Sequence, residues 1–403
     1  MLGSTRALGL KETILGDGGF LNQIMNLRDI YIQTKNLKEF VDWLWTLPEP
    51  RVRSRARCNH QFLLKQQNTL KSALLQKKIL NDRRLSAKVS SMKIVVVDHV
   101  YLNKNHVKRL RTAGDLQIFQ EPPRTSKELR TRIREADIVV VGWSQITRDV
   151  LEYVKKLRLI SIWATSCHYV DLEAAREKGI VITHVPGYST ESVAEFTFGL
   201  MLAAIRKINL ADKHVRRGQF DWRPFGGKEL AGKTLGIIGT GAIGFRVAEI
   251  AQSFKMQLLG CAKHPNRKRA KEVGLRYVDL ETLLKKSDVL TIHVTLTPET
   301  ENLIGEEEIA MMKDGVVLVN TSQGKVVDEK ALIEALKAGK IACAGLDVLE
   351  QEPPLKGNTL FTLENVVLSP HIGFNTAEAE KRCSDICVDN IVKFLEGKPQ
   401  NLC

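Results

Sequence analysis

Three kinds of segment in this 403-residue chain carry residue types at spacings that can do chemistry. The first is Leu235-Gly-Ile-Ile-Gly-Thr-Gly-Ala-Ile-Gly244, an apolar run that ends in Gly239-x-Gly241-x-x-Gly244 and leads into the amphipathic stretch Phe245 to Phe254. Each glycine has its own physical reason. Gly239 permits a tight turn, Gly241 lets a pyrophosphate approach the backbone, and Gly244 lets helix and strand pack closely. The amides that open the helix, Ala242 and Ile243 among them, then face the phosphates. The glycine string is weak evidence alone, but here it has the strand before it and the helix after it that dinucleotide binding requires. The second kind comprises Asn320-Thr-Ser-Gln-Gly-Lys-Val-Val-Asp328 and Gly345-Leu-Asp-Val-Leu-Glu-Gln-Glu-Pro353. The third is Ser369-Pro-His-Ile-Gly373. Each follows an apolar β-type run, so Gln323, Asp347, Glu352 and His371 fall at strand ends, where parallel sheets bind ligands.

The elements that must position these residues follow from periodicity. From Met92 onward, apolar runs at Ile94–Val97, Ile138–Val141, Leu159–Trp163 and Ile180–Thr183 alternate with helical stretches such as Lys127–Ala136 and Asp171–Lys178. A long helix is predicted from Ser189 or Thr190, either of which can act as its N-cap, to about Ile208. A second βα series begins at Thr234. Its predicted strands are Leu235–Ile238, Gln257–Gly260, Val289–Val294, Val316–Asn320, Ala342–Asp347 and Val366–Ser369, and a helix from about Thr376 to Leu395 closes the chain. Such alternation argues for parallel sheets covered on both faces. The expected fold is α/β, with two doubly wound parallel-sheet domains and a Rossmann cofactor domain inserted into a flavodoxin-like substrate domain. The expected boundaries are 92–188 with 375–403 for the substrate domain and 189–374 for the NAD(P)-binding domain. A cleft between the two is the expected site.

The second strand of such a fold ordinarily ends in Asp or Glu, which binds the ribose 2′-hydroxyl. Here the strand Met256-Gln-Leu-Leu-Gly-Cys-Ala262 ends without an acid, and Lys263, His264, Arg267, Lys268 and Arg269 follow. The missing carboxylate removes repulsion towards a 2′-phosphate, and the cations supply attraction. NADP(H) is therefore expected over NAD(H).

Composition narrows the class. The net charge is +14, but residues 1–91 hold +9 of it, so the basic excess is local and argues against a protein-wide nucleic-acid function. That segment, with arginines at 51, 53, 55 and 57, reads either as a basic arm for nucleic acid or anionic lipid, or as an organelle transit peptide, against which Glu12, Asp17 and Asp29 count. The favoured reading is an extension outside both domains, disordered or upstream of a true start at Met92. No apolar run reaches membrane-spanning length, and no h-region of a secretory signal opens the chain. The seven cysteines are scattered, with only Cys383 and Cys387 close together. Free thiols in a reducing, cytoplasmic setting are expected. No Cys/His cluster has zinc spacing, so no metal is expected.

Taken together, the glycine fingerprint, the three downstream segments, Val170-Asp-Leu-Glu-Ala-Ala175, Val185-Pro-Gly-Tyr-Ser-Thr-Glu-Ser-Val-Ala194 and His293-Val-Thr-Leu-Thr-Pro-Glu-Thr300 resemble the D-isomer-specific 2-hydroxyacid dehydrogenases. The resemblance runs from Met92 to about Pro399. It implies hydride transfer between NAD(P)H and a small 2-keto or 2-hydroxy acid of the glyoxylate or hydroxypyruvate class. It implies His371 as general acid/base, Glu352 as its paired carboxylate, and Asp347 near the nicotinamide carboxamide. With the glycine turn and the basic run already described, the candidate cofactor set is Gly239, Gly241, Ala242, Ile243, Gly244, Lys263, Arg267, Thr295, Thr321 and Asp347. It also implies a homodimer formed through the cofactor domain, for which Phe220, Trp222 and Phe225 in the arm Lys213–Lys233 offer apolar cover. Two departures touch the substrate carboxylate. Gln323 stands where the family has Arg, giving one amide in place of a charged bidentate fork. In the substrate loop, Thr165-Ser166-Cys167-His168 stands where the family is glycine-rich, and His168 is either a new substrate contact or a surface residue. These departures keep open an alternative, a cofactor-binding sensor or scaffold with little turnover.

Overall fold

A computed structural model describes residues Met92–Cys403. The readings made for residues 1–91 fall outside the described residues. The first strand series runs β1 (Lys93–Val96), α1 (Lys104–Ala113), β2 (Asp115–Ile118), α2 (Ser126–Ile133), β3 (Ile138–Val141), α3 (Arg148–Leu151), β4 (Leu159–Ile162), α4 (Leu172–Glu177) and β5 (Val181–Thr183). These strands form one parallel sheet in the order β2-β1-β3-β4-β5, the flavodoxin-like order. β3 and β4 are buried along their whole length because helices cover both faces, which is why they read as unbroken apolar runs.

Helices α5 (Thr190–Ile205) and α6 (Ile208–Arg216) lead to the second series. It comprises β6 (Thr234–Ile238), α7 (Ala242–Ser253), β7 (Gln257–Cys261), α8 (Arg267–Glu272), β8 (Leu275–Tyr277), α9 (Leu280–Lys286), β9 (Val289–Ile292), α10 (Glu306–Met311), β10 (Val316–Asn320), α11 (Glu329–Lys337), β11 (Ile341–Leu346) and β12 (Val366–Leu368). The sheet order β12-β11-β10-β9-β6-β7-β8 places the fingerprint strand β6 where the chain reverses its direction of travel across the sheet. That is the Rossmann arrangement, and its crevice lies at the carboxyl end of β6. The expected α/β class with two parallel sheets is therefore the observed one.

Two helices tie the sheets to their cores. α5 is apolar nearly all round, and Ala194, Phe198 and Met201 pack with Leu235, Ile237, Val317 and Val319 of the second sheet. Gly345 makes this packing possible, since a Cβ there would lie 2.9 Å from the Leu200 Cβ. The last helix, α12 (Ala377–Leu395), returns to the first sheet, where Cys383, Cys387, Val388 and Ile391 pack with Ile94, Val96, Ile138 and Leu159. Trp163 Nε1 donates to Ser384 Oγ across this seam at 2.9 Å. Among the described residues no helix is long and apolar enough to cross a membrane.

Two expectations are corrected. Neither Ser189 nor Thr190 caps α5 through its side chain, because Ser189 has φ −102° and ψ 9° rather than the extended backbone that aims a cap oxygen at the helix amides. The Thr190 hydroxyl instead donates back to the Gly187 carbonyl at 3.1 Å. The scattered cysteines are also not all free, because Cys167 is disulfide-bonded to Cys403, 236 residues away. The chain end lies along β5, with Cys403 N donating to Ile182 O at 3.1 Å and His184 N to Asn401 O at 2.9 Å, and this brings it beside the loop after β4. Alkylation in denaturant without a reductant should therefore label Cys261, Cys343, Cys383 and Cys387 and spare Cys167 and Cys403 until a dithiol is added. Labelling of Cys167 before reduction would rule the bond out.

Candidate active site

On the second sheet, each fingerprint glycine has a distinct environment. Gly239 has φ +91°, and a Cβ on it would lie 2.5 Å from the His293 carbonyl oxygen. At Gly244 a Cβ would lie 2.1 Å from the Gly239 carbonyl oxygen, so only glycine lets α7 sit this close to the turn. Gly241 has nothing within 4 Å and opens α7 without a side-chain cap. Ala242 and Ile243 open α7, Ala242 exposed and Ile243 half-buried, where the first helix amides have no partner within the helix. Burial pushes His293 down to about 3, so it adds no charge beneath this turn.

β7 ends at Cys261, and Ala262, Lys263 and His264 form the loop to α8. Lys263, Arg267 and Lys268 are exposed and make no ion pair among the described residues. Arg269 is committed elsewhere, bonded to Glu249 at 3.1 Å and stacked over Phe245. Thr295 is exposed in the loop after β9, whereas Thr321 is buried with its hydroxyl 2.9 Å from that of Thr197 on α5.

The His371–Glu352 pair comes from two adjacent strand ends. His371 follows β12, Glu352 follows β11, and His371 Nδ1 lies 2.8 Å from Glu352 Oε2. The other Glu352 oxygen accepts the Leu349 amide at 3.0 Å. His371 sits at φ +55°, and the buried Asp347 carboxylate holds that turn. Asp347 accepts from Ser369 Oγ at 2.6 Å, Ile372 N at 2.9 Å and Gly373 N at 2.7 Å, while its carbonyl accepts His371 N at 2.8 Å. In this structure the Asp347 carboxylate therefore builds the turn that presents His371. The hydrogen bond to Glu352 holds the His371 pKa above its ordinary value, against the opposing effect of burial. Burial works against the ionised Glu352, yet the same hydrogen bond keeps its pKa lowered.

Gln323 lies between β10 and a single 3-10 turn, Gly324–Val326. Asn320 clamps its backbone, donating to the Gln323 carbonyl at 2.9 Å and accepting the Ser322 amide at 3.0 Å. Gly324 packs so tightly that a Cβ would lie 1.9 Å from the Leu349 carbonyl oxygen, which sets the Gln323 loop against the loop that carries Glu352. On the facing sheet, Thr165 Oγ1 donates to Val185 O at 3.0 Å, Ser166 Oγ bonds His168 Nδ1, and Cys167 carries the disulfide. Burial, and then the charge of His371, lower the His168 pKa, and the His168 ring packs on Tyr169 at 4.1 Å between centroids. Sequence reasoning missed Trp143 and Phe374, whose rings lie 5.5 Å apart with Phe374 6.3 Å from His371, and the buried Asp98 that accepts the Trp143 amide. The available signal was that Asp98 and Trp143 each fall two residues beyond a strand of the first sheet.

A glycine-turned Rossmann sheet with a carboxylate-paired histidine at its strand ends defines a dinucleotide-binding α/β protein. Residues 198–373 match the family profile described as D-isomer specific 2-hydroxyacid dehydrogenase, NAD binding domain. The chain is 43% identical over 309 residues to D-3-phosphoglycerate dehydrogenase of Methanocaldococcus jannaschii, covering 76% of this chain and 58% of that protein's length. It is 40% identical over 309 residues to glyoxylate reductase of Thermococcus litoralis, covering 74% and 93%. Among solved structures, an acyclic imino acid reductase in complex with NADPH and D-Arg superposes with a TM-score of 0.72 at 34% identity, covering 77% of this chain and all of the other. The chain belongs to the D-isomer specific 2-hydroxyacid dehydrogenase family.

Proposed function

We propose that the protein reduces a small 2-keto acid to the D-2-hydroxy acid, and catalyses the reverse, with NADP(H) as the preferred cofactor. The His371–Glu352 pair at 2.8 Å carries this reading. The nicotinamide supplies the hydride. As charge builds on the substrate carbonyl oxygen, protonated His371 donates the proton that quenches it, and in oxidation the neutral ring takes that proton back. Glu352 orients the ring and stabilises its protonated form. The glyoxylate reductase relative makes glyoxylate and hydroxypyruvate the first substrates to try. Lys263 and Arg267, beside an acid-free strand end, support the phosphorylated cofactor.

A homodimer through the second sheet's domain is part of the same reading. Phe220 and Trp222 in the arm before β6 are 94% and 83% exposed, apolar area that a second copy would cover. Phe225 packs against His214 of its own chain. Gln323 favours a second reading, a dinucleotide sensor with little turnover, because it brings no charge to a substrate carboxylate. A 2-keto acid screen that follows NADPH and NADH absorbance tests both. The expected result is turnover, with kcat/KM about tenfold or more in favour of NADPH, equivalent to ~1.4 kcal/mol or more. Equal or better use of NADH would sink the cofactor assignment. Tight NADPH binding without turnover of any 2-keto acid would favour the sensor.

A further inference from the structure

The carboxyl ends of β1 and β3 form the switch point of the first sheet, the place where a doubly wound sheet binds ligands. Asp98 lies there, fully buried, just after β1. Its Oδ2 accepts three successive amides that follow β3, those of Gly142 at 2.8 Å, Trp143 at 2.9 Å and Ser144 at 3.0 Å, and its Oδ1 accepts the Ser144 hydroxyl. A buried carboxylate that gathers three amides fixes the backbone beneath Trp143. Fixing a backbone so firmly under an indole that stays 42% exposed serves presentation of the ring better than packing.

The ring stands among aromatic neighbours that reach the proton-handling pair. Trp143 meets Tyr169 edge-on at 6.3 Å between centroids and Phe374 at 5.5 Å. Phe374 lies 6.3 Å from His371, and His168 packs on Tyr169 at 4.1 Å. Burial, and then the charge of Glu352, raise the Tyr169 pKa. Trp143, from the first sheet, thus forms with Tyr169 and Phe374 a continuous apolar wall that ends at the residue proposed to protonate the carbonyl. A substrate carbonyl at His371 places its carboxylate on one side and its third carbon on the other. Glyoxylate has no third carbon, and hydroxypyruvate has only a hydroxymethyl group there. Neither fills an indole-sized wall.

We propose that Trp143 determines substrate choice, and that the wall of Trp143, Tyr169 and Phe374 selects 2-keto acids with an aromatic or large apolar group on the third carbon. This rests on the keto-acid reading of the same site, and it puts bulkier 2-keto acids ahead of glyoxylate and hydroxypyruvate as substrates. Offset and edge contacts between rings add to simple burial, so an aryl group gains most. Each methylene-sized contact in an apolar pocket discriminates about tenfold or more.

The test compares phenylpyruvate with glyoxylate for the full chain, Trp143→Ala and Trp143→Phe. The wild type should prefer phenylpyruvate by at least tenfold in kcat/KM. Trp143→Ala should collapse that ratio at least tenfold, chiefly through KM, and Trp143→Phe should restore most of it. Equal losses on both substrates would mark Trp143 as structural and overturn the proposal, as would a wild-type preference for glyoxylate. Calorimetry of D-phenyllactate against the NADP⁺ complex reads the wall without chemistry. Binding at least tenfold weaker in Trp143→Ala supports it, and unchanged or absent binding overturns it. Intact aryl-acid binding with no turnover of any 2-keto acid would instead remove the reductase reading and leave the wall standing.

Discussion

Replacing His371 with alanine should lower kcat for 2-keto acid reduction by about 10²–10⁴-fold, the range that a positioned general acid supplies, while NADPH binding is retained. Binding should survive because the turn proposed to hold the cofactor phosphates, Gly239–Gly244, follows β6, whereas His371 follows β12. The companion variant Glu352→Gln tests the pairing through pH. Glu352 raises the His371 pKa, so His371 stays protonated, and able to donate, to higher pH than an isolated imidazole. Without the carboxylate that support is lost and the pKa falls. The alkaline limb of the reduction profile, kcat/KM against pH, should therefore move to lower pH, and in the oxidation direction the acidic limb should move the same way. An unmoved limb in Glu352→Gln would remove Glu352 from the role. A His371→Ala enzyme within tenfold of wild type would remove His371 from it.

These two residues were legible in the sequence for a local reason. β11 is buried at most positions, and β12 is apolar at all three although only Val366 is fully buried, so both announce themselves as apolar runs, and the residues just beyond a parallel strand must stand at the ligand face. The same logic loses the edges. β2, Asp115–Ile118, alternates exposed and half-buried residues, and β8, Leu275–Tyr277, is three residues long, so neither carries an apolar signal. What sequence could not reach is what tertiary closure creates. Cys167 meets Cys403 across 236 residues, and Asp98 meets the Gly142–Ser144 turn only once β1 and β3 lie side by side. Asp347 shows a mixed case. Its strand-end position was plain, but the turn it holds around His371 depends on β12 pairing with β11.

Gln323→Arg should raise kcat/KM for a 2-keto acid by about 10–100-fold, mainly through a lower KM. The position suits a clean substitution. Asn320 holds the Gln323 carbonyl and the Ser322 amide, and Gly324 is wedged against Leu349, so the backbone is set by its neighbours and not by the Gln323 side chain. An arginine there adds a fixed charge and two parallel donors for the substrate carboxylate. At about 4 Å and an effective dielectric near 20 the charge alone contributes up to ~4 kcal/mol, and solvent in an open cleft brings the expected gain down to about 1.4–2.8 kcal/mol. The gain should shrink as salt rises if it is electrostatic. Lys325 is exposed two residues on and is the other cation of this loop, so Lys325→Ala belongs in the same series. If Lys325 already serves the carboxylate, its loss should raise KM in the wild type and matter little in Gln323→Arg. Turnover that appears only in Gln323→Arg would show that the wild-type site keeps its proton-transfer pair but lacks its carboxylate anchor, the behaviour of a sensor derived from a dehydrogenase. An unchanged KM in Gln323→Arg, with Lys325→Ala also silent, would show that the substrate carboxylate is held elsewhere, and the Thr165–His168 loop after β4 would be the place to look.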